Sequence, residues 1–377
     1  MIHRGRLSPA MLLAAWLAAM STQGPYAAEP AATAVPAEPA PSSAAVAPAP
    51  APVAAPAGAS ATQPIIERGH FDLTRPEIQS FIEQMTAQGL DRAQLTSVLG
   101  AAEAQPRIIE AMEKPAEKTL AWWEYRARML TPLRIEGGAQ LWRDHKELLD
   151  RTAIEFQVPP EYILAVLGVE TQYGRTTGKY RVLDALATLA FDYPPRAPFF
   201  RKELGEYLLL AREDGLDPLS VRGSYAGAMG ALQFMPSSYR RYAVSADHPP
   251  RRDLWNDWAD IFASVANYLH QFGWQYGEPV LAEAQPSAGG ALALPDKLAL
   301  NDTLGSLRAR GLLIDSALPD STPAMLIAAA QQDAMGYRVG FQNFYVITRY
   351  NTSPLYAMAV HDLAIAIREQ LRQEAAL

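Results

Sequence analysis

The feature that most constrains this chain is a break in composition near residue 63. From Glu29 to about Thr62 it is almost wholly Ala, Pro, Ser and Val, with no periodic apolar face. Such a stretch cannot bury enough surface to offset the entropy of ordering it. Residues 29–63 therefore read as an extended, partly polyproline spacer, and the 377-residue chain must build its core from residues 64–377. Cysteine is absent, so that core rests on packing alone, with no disulfide, no thiol nucleophile and no lipid-bearing cysteine near the N-terminus.

Residues 1–28 have the layout of an export signal. His3, Arg4 and Arg6 precede the apolar run Met11–Met20, and small residues follow, with Ala27 or Ala28 as the expected processing site. The run is shorter than the roughly 20 residues that a membrane span needs, and no later stretch is long enough either. Net charge is −7, and loss of residues 1–28 would remove two arginines and no acid. A nucleic-acid partner is excluded on that balance, because such binding depends on basic surface.

Helical periodicity dominates the rest. Thr74-Arg-Pro-Glu77 has the form of a capping box with proline at the first helical position, followed by Ile78, Phe81, Ile82 and Met85. Asp91 opens a second helix through Leu95, Val98 and Leu99. Further helices are expected over 118–130, 136–156, 159–172, 199–213, 258–272 and 354–372, the last announced by Ser353-Pro354. Residues 279–332 break the pattern with short apolar segments, the Gly289-Gly290 pair and several prolines, and read as a small strand-containing insertion. The fold class expected is α+β, mainly helical.

Two segments carry candidate chemistry. In Glu161-Tyr-Ile-Leu-Ala-Val-Leu-Gly-Val-Glu170, a helix places Ile163, Val166, Leu167 and Glu170 on one stripe, since seven residues at about 100° each return to nearly the same direction. A carboxylate there is partly desolvated, which disfavours its charged form as a general acid requires. On spacing alone a solvated helix end or a structural ion pair is the more frequent reading. The second segment, Arg222-Gly-Ser-Tyr-Ala-Gly-Ala-Met-Gly-Ala-Leu-Gln-Phe-Met-Pro-Ser-Ser-Tyr239, interleaves glycines with groups that can bond or stack on sugars. It also fits a Gly-rich turn before a helix. Ser224 sits one place too early for a serine-hydrolase elbow, so it is not read as a nucleophile.

Gly168-Val-Glu-Thr-Gln-Tyr-Gly174, followed about fifty residues later by the 222–239 segment, resembles the membrane-bound lytic murein transglycosylase B family. Arg75-Pro-Glu77, Pro115–Arg126, Asp253-Leu-Trp255, Ser264–Tyr268 and Gln342–Met358 extend the resemblance over essentially 65–377. It implies a lysozyme-like core with an added helical subdomain and a small β part. It implies a peptidoglycan lytic transglycosylase acting on glycan strands, with Glu170 as acid and then base and no second carboxylate, the substrate's N-acetyl group stabilising the developing cation. Ser224 and Tyr268 match residues that support the glutamate. Tyr125, Gln233, Phe234, Tyr350, Asn351 and Tyr356 match positions along the glycan groove, while Arg196 matches a place where a peptide-stem or lactyl carboxylate could be met.

Two departures qualify that pattern. The family's calcium loop corresponds here to Ser245-Ala-Asp-His-Pro-Pro-Arg-Arg-Asp253, with prolines at its third acidic position and its glycine position. No calcium site, or only a very weak one, is expected. The six histidines show no ligand spacing, so no other metal and no cofactor are expected. The missing cysteine removes the lipid anchor, leaving a soluble periplasmic enzyme, read as a monomer. A muramidase-type hydrolase with the same site and an inactive peptidoglycan-binding protein remain the alternatives.

Overall fold

The computed structural model describes residues 69–113, 120–246, 251–287, 294 and 298–376. The export signal, the spacer, most of Pro115–Leu120, Asp247–Pro250 and the Gly289-Gly290 pair lie outside them.

Helices form at Pro76–Ala87 (α1), Arg92–Gly100 (α2), Pro106–Glu113 (α3), Trp122–Met129 (α4), Pro132–Asp144 (α5), Lys146–Phe156 (α6) and Pro160–Thr171 (α7). They continue at Val182–Phe191 (α8), Ala197–Asp214 (α9), Pro236–Tyr242 (α10), Trp258–Gln271 (α11), Leu304–Ala309 (α12), Gln342–Tyr350 (α13) and Pro354–Ala375 (α14). α1 buries the expected Ile78, Phe81, Ile82 and Met85. Its start differs from expectation. With Pro76 at the first helical position the capping residue is Arg75, which has no side-chain acceptor, so the capping box does not form. The Thr74 hydroxyl turns back to Asp72 Oδ1 at 2.6 Å. Asp91 does cap α2, accepting the Gln94 N–H at 2.8 Å.

α7 is enclosed by α5, α6, α11 and α14. Every side chain from Glu161 to Gly168 is buried, so α7 is enclosed on all sides rather than along one stripe, with Glu161 paired to Arg368. It reaches solvent only at its two ends, at Pro160 and where Val169 and Glu170 become partly exposed. α8 is likewise buried throughout and packs between α9 and α3.

Between α11 and α13 the chain makes an antiparallel sheet of Leu281–Pro286 (β1), Asp302–Thr303 (β2), Leu312–Ile314 (β3), Pro323–Ala330 (β4) and Met335–Gly340 (β5), in the order β2-β4-β5-β1-β3. β5 pairs with β1 and β4 on its two sides, Val339 facing Ala282 and Leu326. Its position beyond residue 332 carries the sheet directly into α13. Leu304, Leu307, Leu312, Leu326, Tyr337 and Val339 form a separate small core between sheet and α12. Arg338 ties the sheet to the helices, bonding Asp362 of α14 at 2.8 Å with its guanidinium 5.2 Å over the Trp122 ring. The sheet thus fixes where α13 and α14 begin, and both carry site residues. No helix among the described residues is long and apolar enough to cross a membrane.

Candidate active site

Glu170 occupies the last turn of α7. Beyond Thr171 the backbone enters the left-handed region at Gln172 (φ 51°), Tyr173 (φ 61°) and Gly174 (φ 78°). For the two non-glycine residues this costs about 1 kcal/mol or more each, so surrounding contacts must impose it. They are present. The Tyr173 N–H donates to Leu167 O at 3.1 Å, a six-residue closure that ends the helix abruptly. Thr171, fully buried, accepts the Gly174 N–H at 2.9 Å and donates to Ala231 O at 2.8 Å. That second bond fastens the Glu170 segment to the 222–239 segment.

The 222–239 segment folds as a tight loop. The Ser224 N–H donates to Ala228 O at 2.9 Å, and Ser224 Oγ accepts N–H groups from Ala226 at 3.2 Å and Ala228 at 3.0 Å. Ser224 shapes this turn, and with both lone pairs engaged its hydroxyl proton is left to donate. Gln233 is also left-handed (φ 52°), and its amide donates to Thr177 O and Gly230 O, each at 3.0 Å. The side chain therefore locks this loop against the chain following Glu170. Gly230 cannot be replaced here, because a methyl on it would lie 2.7 Å from Leu254 O.

Aromatic rings meet Glu170 from α11, α13 and α14. The Tyr356 hydroxyl donates to Glu170 Oε1 at 2.8 Å. Tyr350 lies parallel to it, 6.3 Å between centroids, and donates to Leu232 O at 2.7 Å. Tyr268 packs on Tyr350 at 4.7 Å and on Phe234 at 5.5 Å. Burial first, and the Glu170 charge with it, push the phenols of Tyr350 and Tyr356 well up, so both stay protonated. Burial, together with the neighbouring Tyr242 and Glu170, does the same to Tyr268.

The expected residues divide accordingly. Glu170, Phe234, Tyr268, Tyr350 and Tyr356 come together. Orienting the glutamate, assigned to Tyr268 by resemblance, is a contact the structure gives to Tyr356, because the single Tyr268 proton goes to Arg349 O at 2.6 Å. Phe234, Tyr350, Tyr356 and Tyr125 are all buried, so they form the floor around Glu170 rather than exposed stacking platforms. The Asn351 side chain accepts the Ser353 N–H at 3.0 Å, shaping the entry to α14. Arg196 stands apart, in the turn before α9, 4.6 Å over Phe199 with Nη1 buried and lacking a hydrogen-bond partner among the described residues. Asp192 is structural, held by Arg75 Nη1 at 2.7 Å.

Sequence reasoning gave no role to Thr171, Tyr173 or Arg134. A signal existed in Gly137-Gly138, since adjacent glycines inside a helix cost about 1 kcal/mol each relative to alanine and mark a close approach.

The loop expected to lack calcium is braced by protein groups. Asp260 accepts N–H groups from Ala246 at 2.7 Å and Asp253 at 2.8 Å, one on each carboxylate oxygen. Asp253 is occupied by the N–H groups of Trp255 and Asn256. Ser245 Oγ is buried without a partner among the described residues, one neutral oxygen where a calcium cradle needs several anionic ones. Among the described residues this donor set does not fit the ion.

A partly exposed glutamate at the end of a buried helix, bonded by a phenol and set on a mainly helical body with a small antiparallel sheet, marks the lysozyme-like class of glycan-cleaving enzymes. A family model described as a transglycosylase SLT domain matches residues 73–365. Membrane-bound lytic murein transglycosylase B of Escherichia coli (strain K12) is 38% identical over 325 residues, 83% of this chain and 89% of that protein. The X-ray structure of catenated lytic transglycosylase SltB1 from Pseudomonas aeruginosa is 46% identical with a TM-score of 0.75, covering 78% of this chain and 98% of that one. Escherichia coli Slt35 in complex with calcium is 38% identical with a TM-score of 0.73, covering 81% and 96%. The chain belongs to this transglycosylase family and is a lytic transglycosylase, a lyase of peptidoglycan glycan strands.

Proposed function

We propose that Glu170 performs both proton transfers of the reaction. It first gives its proton to the oxygen of the β-1,4 bond between N-acetylmuramic acid and N-acetylglucosamine as the bond to C1 breaks. The carboxylate then takes the proton of the muramic acid C6 hydroxyl, whose oxygen closes on C1 as a 1,6-anhydro ring. No water is consumed. The observation that carries this reading is the 2.8 Å bond from Tyr356 to Glu170 Oε1, which fixes one carboxylate oxygen. The other buried or half-buried acids of the helical body have structural partners: Asp184 is bound by Arg181, Asp214 by Arg252, Glu203 by Ser237 and Asp260 by backbone N–H groups. That leaves Glu170 as the carboxylate for the chemistry.

Ser224 and Tyr268 act as its supports, through the loop and the aromatic floor. Gln233 and Asn351 shape the groove, and Arg196 meets a carboxylate of the muramyl substituent. The apolar run Met11–Met20 supports an exported, periplasmic enzyme.

The test is mass spectrometry of soluble products after digesting purified peptidoglycan with the enzyme and with Glu170→Gln. Anhydro-muropeptides from the parent and none from the variant are expected. Reducing-end products would make the enzyme a muramidase, and an active variant would remove Glu170 from the chemistry.

A further inference from the structure

Resting on that acid–base reading, we propose that Arg134 and Tyr173 form a clamp that holds the end of α7, making both positioning residues for Glu170.

Tyr173 is fixed at each end. Its N–H reaches back to Leu167 O at 3.1 Å, and its hydroxyl donates to Arg134 O at 2.6 Å. Its ring fills a slot that only glycines leave open. A methyl on Gly138 or Gly168 would stand 2.5 or 2.7 Å from Tyr173 Oη, and one on Gly137 would stand 3.0 Å from the ring edge. Arg134 answers from the other side of the slot, Nε donating to Gly168 O at 2.9 Å and Nη1 to Arg128 O at 2.8 Å. Gly168 O is one of the last four carbonyls of α7, which the helix itself cannot satisfy, and a cation suits that end of the helix dipole.

The two residues thus close a ring of contacts around the turn that bears Glu170. That turn needs it, because Gln172 and Tyr173 are held left-handed, and a tyrosine released from its slot would relax to a right-handed or extended backbone. Relaxation would rotate the last turn of α7 and carry the carboxylate away from the reacting oxygen. Among the described residues Arg134 has no carboxylate partner, so its ordered guanidinium is accounted for by these carbonyls.

The experiment is steady-state kinetics on soluble glycan fragments with the full chain and the variants Tyr173→Phe, Arg134→Met and Arg134→Lys, with Glu170→Gln in parallel. Tyr173→Phe and Arg134→Met should each lower kcat about tenfold or more, as a small displacement of a catalytic group does, with KM within about twofold. Arg134→Lys, which keeps one donor for Gly168 O, should recover part of the loss. An unchanged kcat in folded Tyr173→Phe overturns the proposal, as does an Arg134→Met variant whose KM rises while kcat holds, since that marks a ligand of the glycan. If Arg134→Met does not fold, Tyr173→Phe, which lacks only one hydroxyl, decides the matter. Activity in Glu170→Gln would sink the acid–base reading instead, so the two failures are distinguishable.

Discussion

Acidification should loosen the seam between α7 and α14 through His361. Its Nδ1 lies 2.9 Å from the Tyr162 hydroxyl, whose own pKa burial pushes far up, so Tyr162 donates and the imidazole accepts. Burial is the largest influence on His361. It outweighs the attraction of Asp362, is helped by Arg338 and Arg368, and brings the pKa from 6.5 down to about 4. Above pH 6.5 both folded and unfolded chains hold this histidine neutral. Below that, the unfolded chain binds a proton that the folded one refuses, so stability falls with pH until the folded value is reached. At about 1.4 kcal/mol per unit the full shift is worth roughly 3 kcal/mol by pH 4. His361 keeps some solvent contact, so about 1–2 kcal/mol at pH 5 is the better expectation. The assay is urea unfolding of the parent and of His361→Gln, which keeps an acceptor for Tyr162, at pH 7.5 and pH 5. Packing differences between the two chains cancel in the comparison across pH. The parent should lose about 1–2 kcal/mol more than the variant between the two pH values. Equal losses would refute a buried neutral His361.

Tyr356→Phe removes the hydroxyl bonded to Glu170 and nothing else. A hydrogen bond to a charged group is worth about 1.5–3 kcal/mol, so release of soluble muropeptides should slow roughly ten- to a hundredfold, and an unchanged rate would break the link between the two residues. Thr171→Val deletes the bond that joins the two central segments and leaves Ala231 O unsatisfied. It should cost about 1–3 kcal/mol in urea unfolding, and no loss would mean the loop is held elsewhere. Ser224→Ala should slow turnover without abolishing it, because two N–H groups of the loop lose their acceptor. A parental rate would take Ser224 out of the site's support.

Legibility followed the periodicity of each segment. α1 buries the one face that its spacing marks, and the expected bounds of α11 (258–272) and α14 (354–372) agree with the structure to within a few residues. α8 is not legible because Val-Leu-Asp-Ala-Leu-Ala-Thr-Leu-Ala-Phe is buried on every side, Asp184 and Thr188 included, and a helix buried all round has no solvent face to set its period. α7 was placed correctly from an incomplete argument, the single stripe being one part of a fully buried surface. Glu170 was named from its segment, but its partner could not be. Tyr268 and Tyr356 look alike in sequence, and which hydroxyl reaches the carboxylate depends on how the sheet aims α13 and α14. The capping box failed for a local reason, a proline that moves the cap by one residue. The Arg134–Tyr173 contacts join side chain to backbone across two helices, and no spacing rule encodes such a pairing.

The hydroxyl that engages Glu170 arrives 186 residues later in the chain, in the first turn of the 22-residue helix α14. Synthesis therefore delivers the glutamate long before its phenol partner. A nascent or truncated polypeptide ending ahead of Pro354 would possess Glu170 and the glycine loop, yet would lack Tyr356 and one of the four helices packed around α7. The Tyr356–Glu170 contact is therefore conditional on the folding of Pro354–Ala375.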